Sequence, residues 1–354
     1  MPAAPIDRLP PELLYRIFTL AAPVVESVSE SQEREDLLTN LCRVSGRFRD
    51  VAQRILWQVF RPRAEDFPLS VDAQELVEHV RSFRPPEDLL DLSEAVKAVP
   101  SMIRLVDARL EFSTSISQDQ LGAFIHLQHL FLVALPKDSF PSLIFPNLVT
   151  LTLHRMGAAG TGGVTGLSPS SLPSLRALYL SSSWQNAEAQ WARWAPDLIL
   201  LSDQLDMIQI HSVEAKHFPQ ELLAQGVPVL ISVDLTSGFH FLRSADLAPF
   251  EHFQLDAWRS LMTNHLTLVK ALEDSVSRHA NIKSLSLPRR IHPSSDLVPA
   301  LASARDGLLS TCSSRNIRVI WRMNSFARED DYGVNKEFWE FAKEVRKERA
   351  CQAE

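Results

Sequence analysis

The residues of this chain that carry reactive or ligand-binding chemistry are scattered. GAAGTGGVTG, residues 157–166, is the one glycine-rich stretch, and it follows LTLH, as a phosphate loop would follow a strand. It lacks the GxxxxGK lysine, does not fit GxGxxG, and runs into LSPSSLPSL instead of a helix, so it reads as a connection between two elements. His154 and His211 are placed to share a face two strands apart, but no third cysteine or carboxylate is spaced to complete a metal site with them. Cys42, Cys312 and Cys351 are odd in number, far apart and without zinc spacing, which fits a reducing compartment. Serines are plentiful, yet no GxSxG elbow is present. Trp184, Trp191 and Trp194 recur at helical spacing and read as packing. Neither catalysis, metal nor cofactor is expected.

Composition is that of an ordinary soluble globular protein. Over 354 residues, 45% are apolar and 22% charged, enough for a large core and more than one domain. A net charge of −7 gives no basic stripe for nucleic acid. The opening MPAAPIDRLP has no apolar signal region, no run is long enough to span a membrane, and CQAE at the end lacks the chemistry of a prenylation box. A cytoplasmic or nuclear location is expected, with no membrane partner.

Two regions must position whatever this chain binds. The first is helical. In IDRLPPELLYRIFTL, residues 6–20, Pro10 and Pro11 stand at a helix start, where a missing N–H costs nothing. Leu9 can staple to Leu14, Glu12 suits the positive helix end, and Leu13, Leu14, Ile17 and Phe18 form an apolar stripe. Leu37, Leu38, Leu41 and Val44 make a second helical face. Ser45 is placed to cap a third, with Phe48, Val51, Ala52, Ile55 and Leu56 inward. Between the first two helices, AAPVVESVSESQERED reads as a long solvated loop.

LPPELLYRIF followed by LLTNLCRVSGRFRDVAQRILW resembles the F-box, over residues 6–60. The resemblance implies a three-helix module that docks a Skp-type adaptor and, through it, a cullin-based ubiquitin ligase. The adaptor-contacting positions it implies are Leu9, Pro10, Leu13, Leu14, Ile17, Leu41, Val44 and Phe48.

The second region is repetitive. Apolar–x–x–apolar–x–apolar recurs as LQHLFL, LVTLTL, LRALYL, LDMIQI, LISVDL, FEHFQL and IKSLSL, with weaker copies at Met102 and Ile317, and with anchors 20 to 35 residues apart. Two apolar residues separated by one form the inward side of a short strand, while NAEAQWARWA and TLVKALEDSVSRH read as helices between strands. The pattern resembles leucine-rich repeats without their asparagine ladder: Met156, Ser183, Val213, Gly238, Trp258 and Arg290 stand where the ladder residue belongs. An F-box followed by degenerate leucine-rich repeats is an arrangement common in large fungal families. The expected fold is α/β: an F-box at 1–60, a linker at 61–72, an irregular solenoid of short parallel strands with helices and loops at 73–328, and a capping helix and tail at 329–354. The function implied is substrate recognition, with the repeats holding the target; a non-degradative scaffold is the alternative.

Residues between the inward positions should form the concave, target-binding face: Phe131, His154, Tyr179, Gln209, Asp234, Asp256 and Trp321. Asp234 and Asp256 should be neighbours on adjacent strands, and with no basic residue in these columns the face should not read phosphate. At the end, Asn335 can cap a helix with Phe338, Phe341, Ala342 and Val345 on one face, read as a cover for the last repeat.

Overall fold

The computed structural model describes residues 9–22, 28–60, 75–83, 102, 104–111, 125–133, 144–156, 167–182, 187–234, 247–256, 265–295, 297–322 and 333–353. The glycine-rich stretch, the expected linker at 61–72 and Trp184 lie outside them.

Helices α1 (Pro11–Ala21), α2 (Val28–Cys42) and α3 (Gly46–Leu56) form a small bundle. Pro11 occupies the first position of α1, as its fixed φ allows. Ser45 caps α3 by accepting from the Phe48 amide at 3.2 Å. Leu14, Phe18, Leu38, Phe48, Val51, Ala52 and Ile55 are the bundle core, with the Phe18 and Phe48 rings edge to face at 5.0 Å. The presumed loop between α1 and α2 is shorter than expected, because α2 begins at Val28. SESQERED includes the good helix formers glutamate, glutamine and arginine but carries no apolar stripe, so periodicity could not reveal it.

The bundle continues directly into a sheet. Strands β1 (Val59–Phe60), β2 (Ser82–Phe83), β3 (Asp107–Glu111), β4 (His129–Val133), β5 (Thr150–Met156), β6 (Ala177–Ser182), β7 (Met207–His211), β8 (Val229–Asp234), β9 (His252–Asp256), β10 (Ser284–Pro288) and β11 (Arg318–Arg322) pair in parallel, in chain order. The sheet is open, with β1 and β11 at its edges. Trp57, which ends α3, stacks on Phe60 of β1 at 5.0 Å, and Phe60 meets Phe83 at 5.9 Å. The sheet therefore begins at the last turn of the bundle, upstream of the expected start at 73.

One sheet face is covered by α4 (Ala187–Leu201), α5 (Gln220–Ala224), α6 (His265–Arg278) and α7 (Pro299–Ser314). Most strand leucines and isoleucines join Trp191, Trp194, Leu198, Leu222, Val269, Leu272, Val276, Leu301 and Leu308 in a single continuous core. At several repeats a polar residue stands in for the missing asparagine, at the start of the repeat and not after its strand. Asn147, Ser174, Gln204 and Asn281 each precede a first apolar anchor and donate to a backbone carbonyl of the preceding repeat, of Ile125, Pro146, Leu172 and Ala248, at 2.6 to 2.9 Å. Arg315 does the same to His279 at 2.7 Å. Asn316, with φ 56°, takes the left-handed position that ends α7; the Ile317 and Asn316 amides donate back to Cys312 and Ser313.

The opposite sheet face carries α8 (Lys336–Ala353), the last helix. It was expected to cover the end of the last repeat. It packs instead across the sheet from β6 to β11, burying Phe338 and Ala342 against Ala177, Met207, Leu230 and Ile320. Gly226, at φ +75° in the turn before β8, accepts from Arg349 of this helix at 2.5 Å, and a Cβ there would stand 3.3 Å from the Arg349 guanidinium.

Candidate interaction sites

Two surfaces carry the residues expected to bind. The first is on the bundle. Leu13, Ile17 and Leu20 follow i, i+4, i+7 spacing on α1, beside the stripe of Leu14 and Phe18 that faces the core. They are exposed at 46%, 40% and 77%, although the bundle core is filled without them. Val44, in the turn before α3, is 61% exposed. Of the eight positions implied for adaptor contact, Pro10, Leu13, Ile17 and Val44 are on the surface. Leu9 and Leu41 are half-buried against the bundle core, and the Leu9 carbonyl accepts from Arg47. Leu14 and Phe48 are corrected: both lie inside the core, where their side chains hold the helices together and cannot face a partner.

The second surface is the α8-covered face of the sheet. Its expected row begins as read, with Phe131, Thr152, Tyr179 and Gln209 in register from β4 to β7. From β8 the row continues through Leu230, His252, Ser284 and Arg318. Asp234 and Asp256 stand directly opposite each other in the β8–β9 register. Trp321 is the outright error. It pairs with Leu287 and packs on the helix-side core, one residue out of phase, while Ile320 takes the α8 side. That slip also brings Arg318 and Arg322 to the face predicted to lack cations.

Exposure differs from expectation as well. Tyr179, Gln209 and His154 are buried, and Phe131 is half-buried, so this set does not form an open concave surface. Gln209 is buried because α8 begins over it. Asn335 is the hub. Its amide donates to Gln209 Oε1 at 2.9 Å, and its Nδ2 donates to Gln254 Oε1 at 2.5 Å and Ser286 Oγ at 2.9 Å. Its Oδ1 accepts from the Phe338 amide at 2.8 Å, the N-cap foreseen in the sequence. Gln209 Nε2 in turn donates to Ser232 Oγ at 3.0 Å, and the His252 Nδ1 and Ser284 Oγ lie 2.9 Å apart. The further course of α8 is pinned by Trp339 Nε1 donating to Asp206 Oδ2 at 2.9 Å and by Arg346 donating to the Ser202, Asp203 and Leu205 carbonyls.

His252 lies beneath α8, 5.2 Å from the Phe338 ring and 5.8 Å from that of Phe341. Burial pushes its imidazole down to about 4, against the opposing pull of Glu251 and with a smaller push from Lys283 and Arg349. Burial raises the Cys312 thiol to about 11 and also raises Cys42, so neither supplies a thiolate at neutral pH. Among the described residues, no three histidine, cysteine or acidic side chains are grouped to hold a metal. No described helix is long and apolar enough to cross a membrane. A scan against protein-family models finds no match to the chain, and a search of the curated proteins finds none either.

Proposed function

We propose that this chain is the substrate-recognition subunit of a Skp/cullin-type ubiquitin ligase, acting in the cytoplasm or nucleus, with the α1–α3 bundle as its adaptor-docking F-box and the strand repeats as a leucine-rich-repeat-like solenoid that holds the target. One observation carries the reading. Leu13, Ile17 and Leu20 form an exposed apolar ridge on a bundle whose own core is complete without them. Contiguous exposed apolar side chains of this kind mark a protein contact. The residues on either side match the F-box pattern in type and order. No side chain of the chain acts chemically in this role. The subunit brings a target lysine near a transferring enzyme, a gain from proximity alone. The join at Trp57 and Phe60 favours it, because a bundle fused to the sheet without a slack connection fixes the distance from adaptor to target.

Titration of the full chain with a purified Skp-type adaptor tests the docking. Truncating an interface anchor commonly costs ~2 kcal/mol or more, a factor of about 30 in affinity. Leu13→Asp with Ile17→Asp should remove binding while circular dichroism stays that of the native chain. Unchanged affinity of that variant, or no binding by the native chain, refutes the assignment.

A further inference from the structure

The two faces of the sheet are closed in different ways. On one, α4 to α7 bury a continuous apolar core. On the other, α8 covers a patch whose centre is polar: Gln209, Ser232, His252, Gln254, Ser284 and Ser286 are all buried there. Leu230 stands among them, between Gln209 and His252, and Ala177, Met207 and Ile320 lie around them. Stripping α6 or α7 would expose a purely apolar core, whereas lifting α8 would expose a mixed surface, in which those six polar side chains stand beside the small apolar cluster that Phe338 and Ala342 join. Contacts between parts of a chain that move apart are more polar than permanent ones, and the α8 contact is the more polar of the two.

We propose that the face over β7–β11 is a helix-docking site for the target protein, and that α8 is its resident intramolecular ligand, displaced when the target binds. This rests on the reading of the repeats as the target-holding domain. The contacts of α8 state what the target helix must offer. Its N-cap is asparagine, able to accept from its own first turn while donating to Gln254 and Ser286. An aromatic ring three residues on lies beside His252, as Phe338 does. A small residue four further on lies flat on the sheet, as Ala342 does. A cation toward its C-terminal half reaches Glu251, as Arg349 does at 3.5 Å. Because α8 is tethered, it competes at an effective concentration on the order of millimolar, and a free copy of the helix should bind the native chain weakly.

A labelled peptide of residues 333–354 is the probe, used with the full chain and read by fluorescence anisotropy. Phe338→Asp within the chain weakens the tethered occupant. The peptide should then bind that variant at least roughly tenfold more tightly than it binds the native chain. A peptide carrying Asn335→Ala and Phe338→Ala should not bind. In the unaltered chain, hydrogen exchange should show α8 amides opening separately from, and faster than, those of α6 and α7. Three results overturn the proposal: α8 exchanging together with α6 and α7; a folded Phe338→Asp chain that ignores the peptide; or a Phe338→Asp chain that unfolds throughout, which would make α8 part of the core. Adaptor affinity, measured in parallel, should be the same with and without peptide. Its absence would refute the ligase reading and leave the groove standing.

Discussion

Asn335→Ser separates the two things Asn335 does. Serine caps helices as well as asparagine, so the bond to the Phe338 amide survives the substitution. The donations from Nδ2 to Gln254 Oε1 and Ser286 Oγ do not, because the shorter side chain cannot cap and reach both partners. Each lost bond is worth about 1 kcal/mol, and a buried acceptor left without its donor raises the cost toward the upper end of about 1–3 kcal/mol. Asn335→Ser should therefore lower the opening free energy of α8 by about 2 kcal/mol. Asn335→Ala, which also loses the cap, should lower it by about 3 kcal/mol. If asparagine served only as a cap, serine would match the native chain and alanine would cost about 1 kcal/mol. The assay is native-state hydrogen exchange of the α8 amides, which isolates this helix from global unfolding. An Asn335→Ser chain within about 0.5 kcal/mol of the native one would refute the hub described here.

His252 gives a pH dependence of definite sign: neutral when folded, with its value pushed from 6.5 to about 4, it keeps its full contribution above pH 6.5 and loses it as pH falls toward 4. The loss should reach about 3 kcal/mol in urea titrations, and His252→Gln should flatten that part of the profile. Asn316 sits at φ 56°, so Asn316→Gly should relieve backbone strain and raise stability by roughly 0.5 kcal/mol after the extra entropy of glycine is counted, seen as a higher urea midpoint. Leu14→Ala should destabilise the bundle by about 2–5 kcal/mol, whereas Leu13→Ala, one residue away on the surface, should change thermal stability little; equal effects would contradict the assignment of core and ridge.

Strands were legible where one face is apolar and the other polar. LTLH, LYLS and IQIH alternate cleanly, and β5, β6 and β7 lie where the repeat places them. The reading slipped where both faces carry apolar residues. In β8, Val233 was read on the correct side, but the reading slipped along the strand, because Val229 and not Val233 stands opposite Ile208, and Leu230 turns an apolar side chain to α8. In β11, Ile320 faces α8 and Trp321 the other core, and the one-residue ambiguity was settled wrongly. In both strands an apolar residue, Leu230 or Ile320, stands on the face that a helix at the end of the chain covers and that local patterning assigns to solvent. The Asn335 cap was visible because capping is local. Its partners Gln209, Gln254 and Ser286, up to 126 residues away, were not, because nothing in a strand's own sequence tells which distant element covers it. In β3 the unit is Leu105–x–x–Ala108–x–Leu110, three residues after the copy read from Met102, and alanine at the central anchor hid it. β1 and β2, at two residues each, are too short to show any period.

Assembly with both ligase subunits is the most direct test of the proposed role. The full chain, a Skp-type adaptor and its cullin should be mixed at micromolar concentration, and the mass of the product measured in solution. A recognition subunit predicts one complex containing a single copy of each, lost as a whole when Leu13 and Ile17 are replaced by aspartate. An adaptor complex that excludes the cullin, or no complex at all, would contradict it.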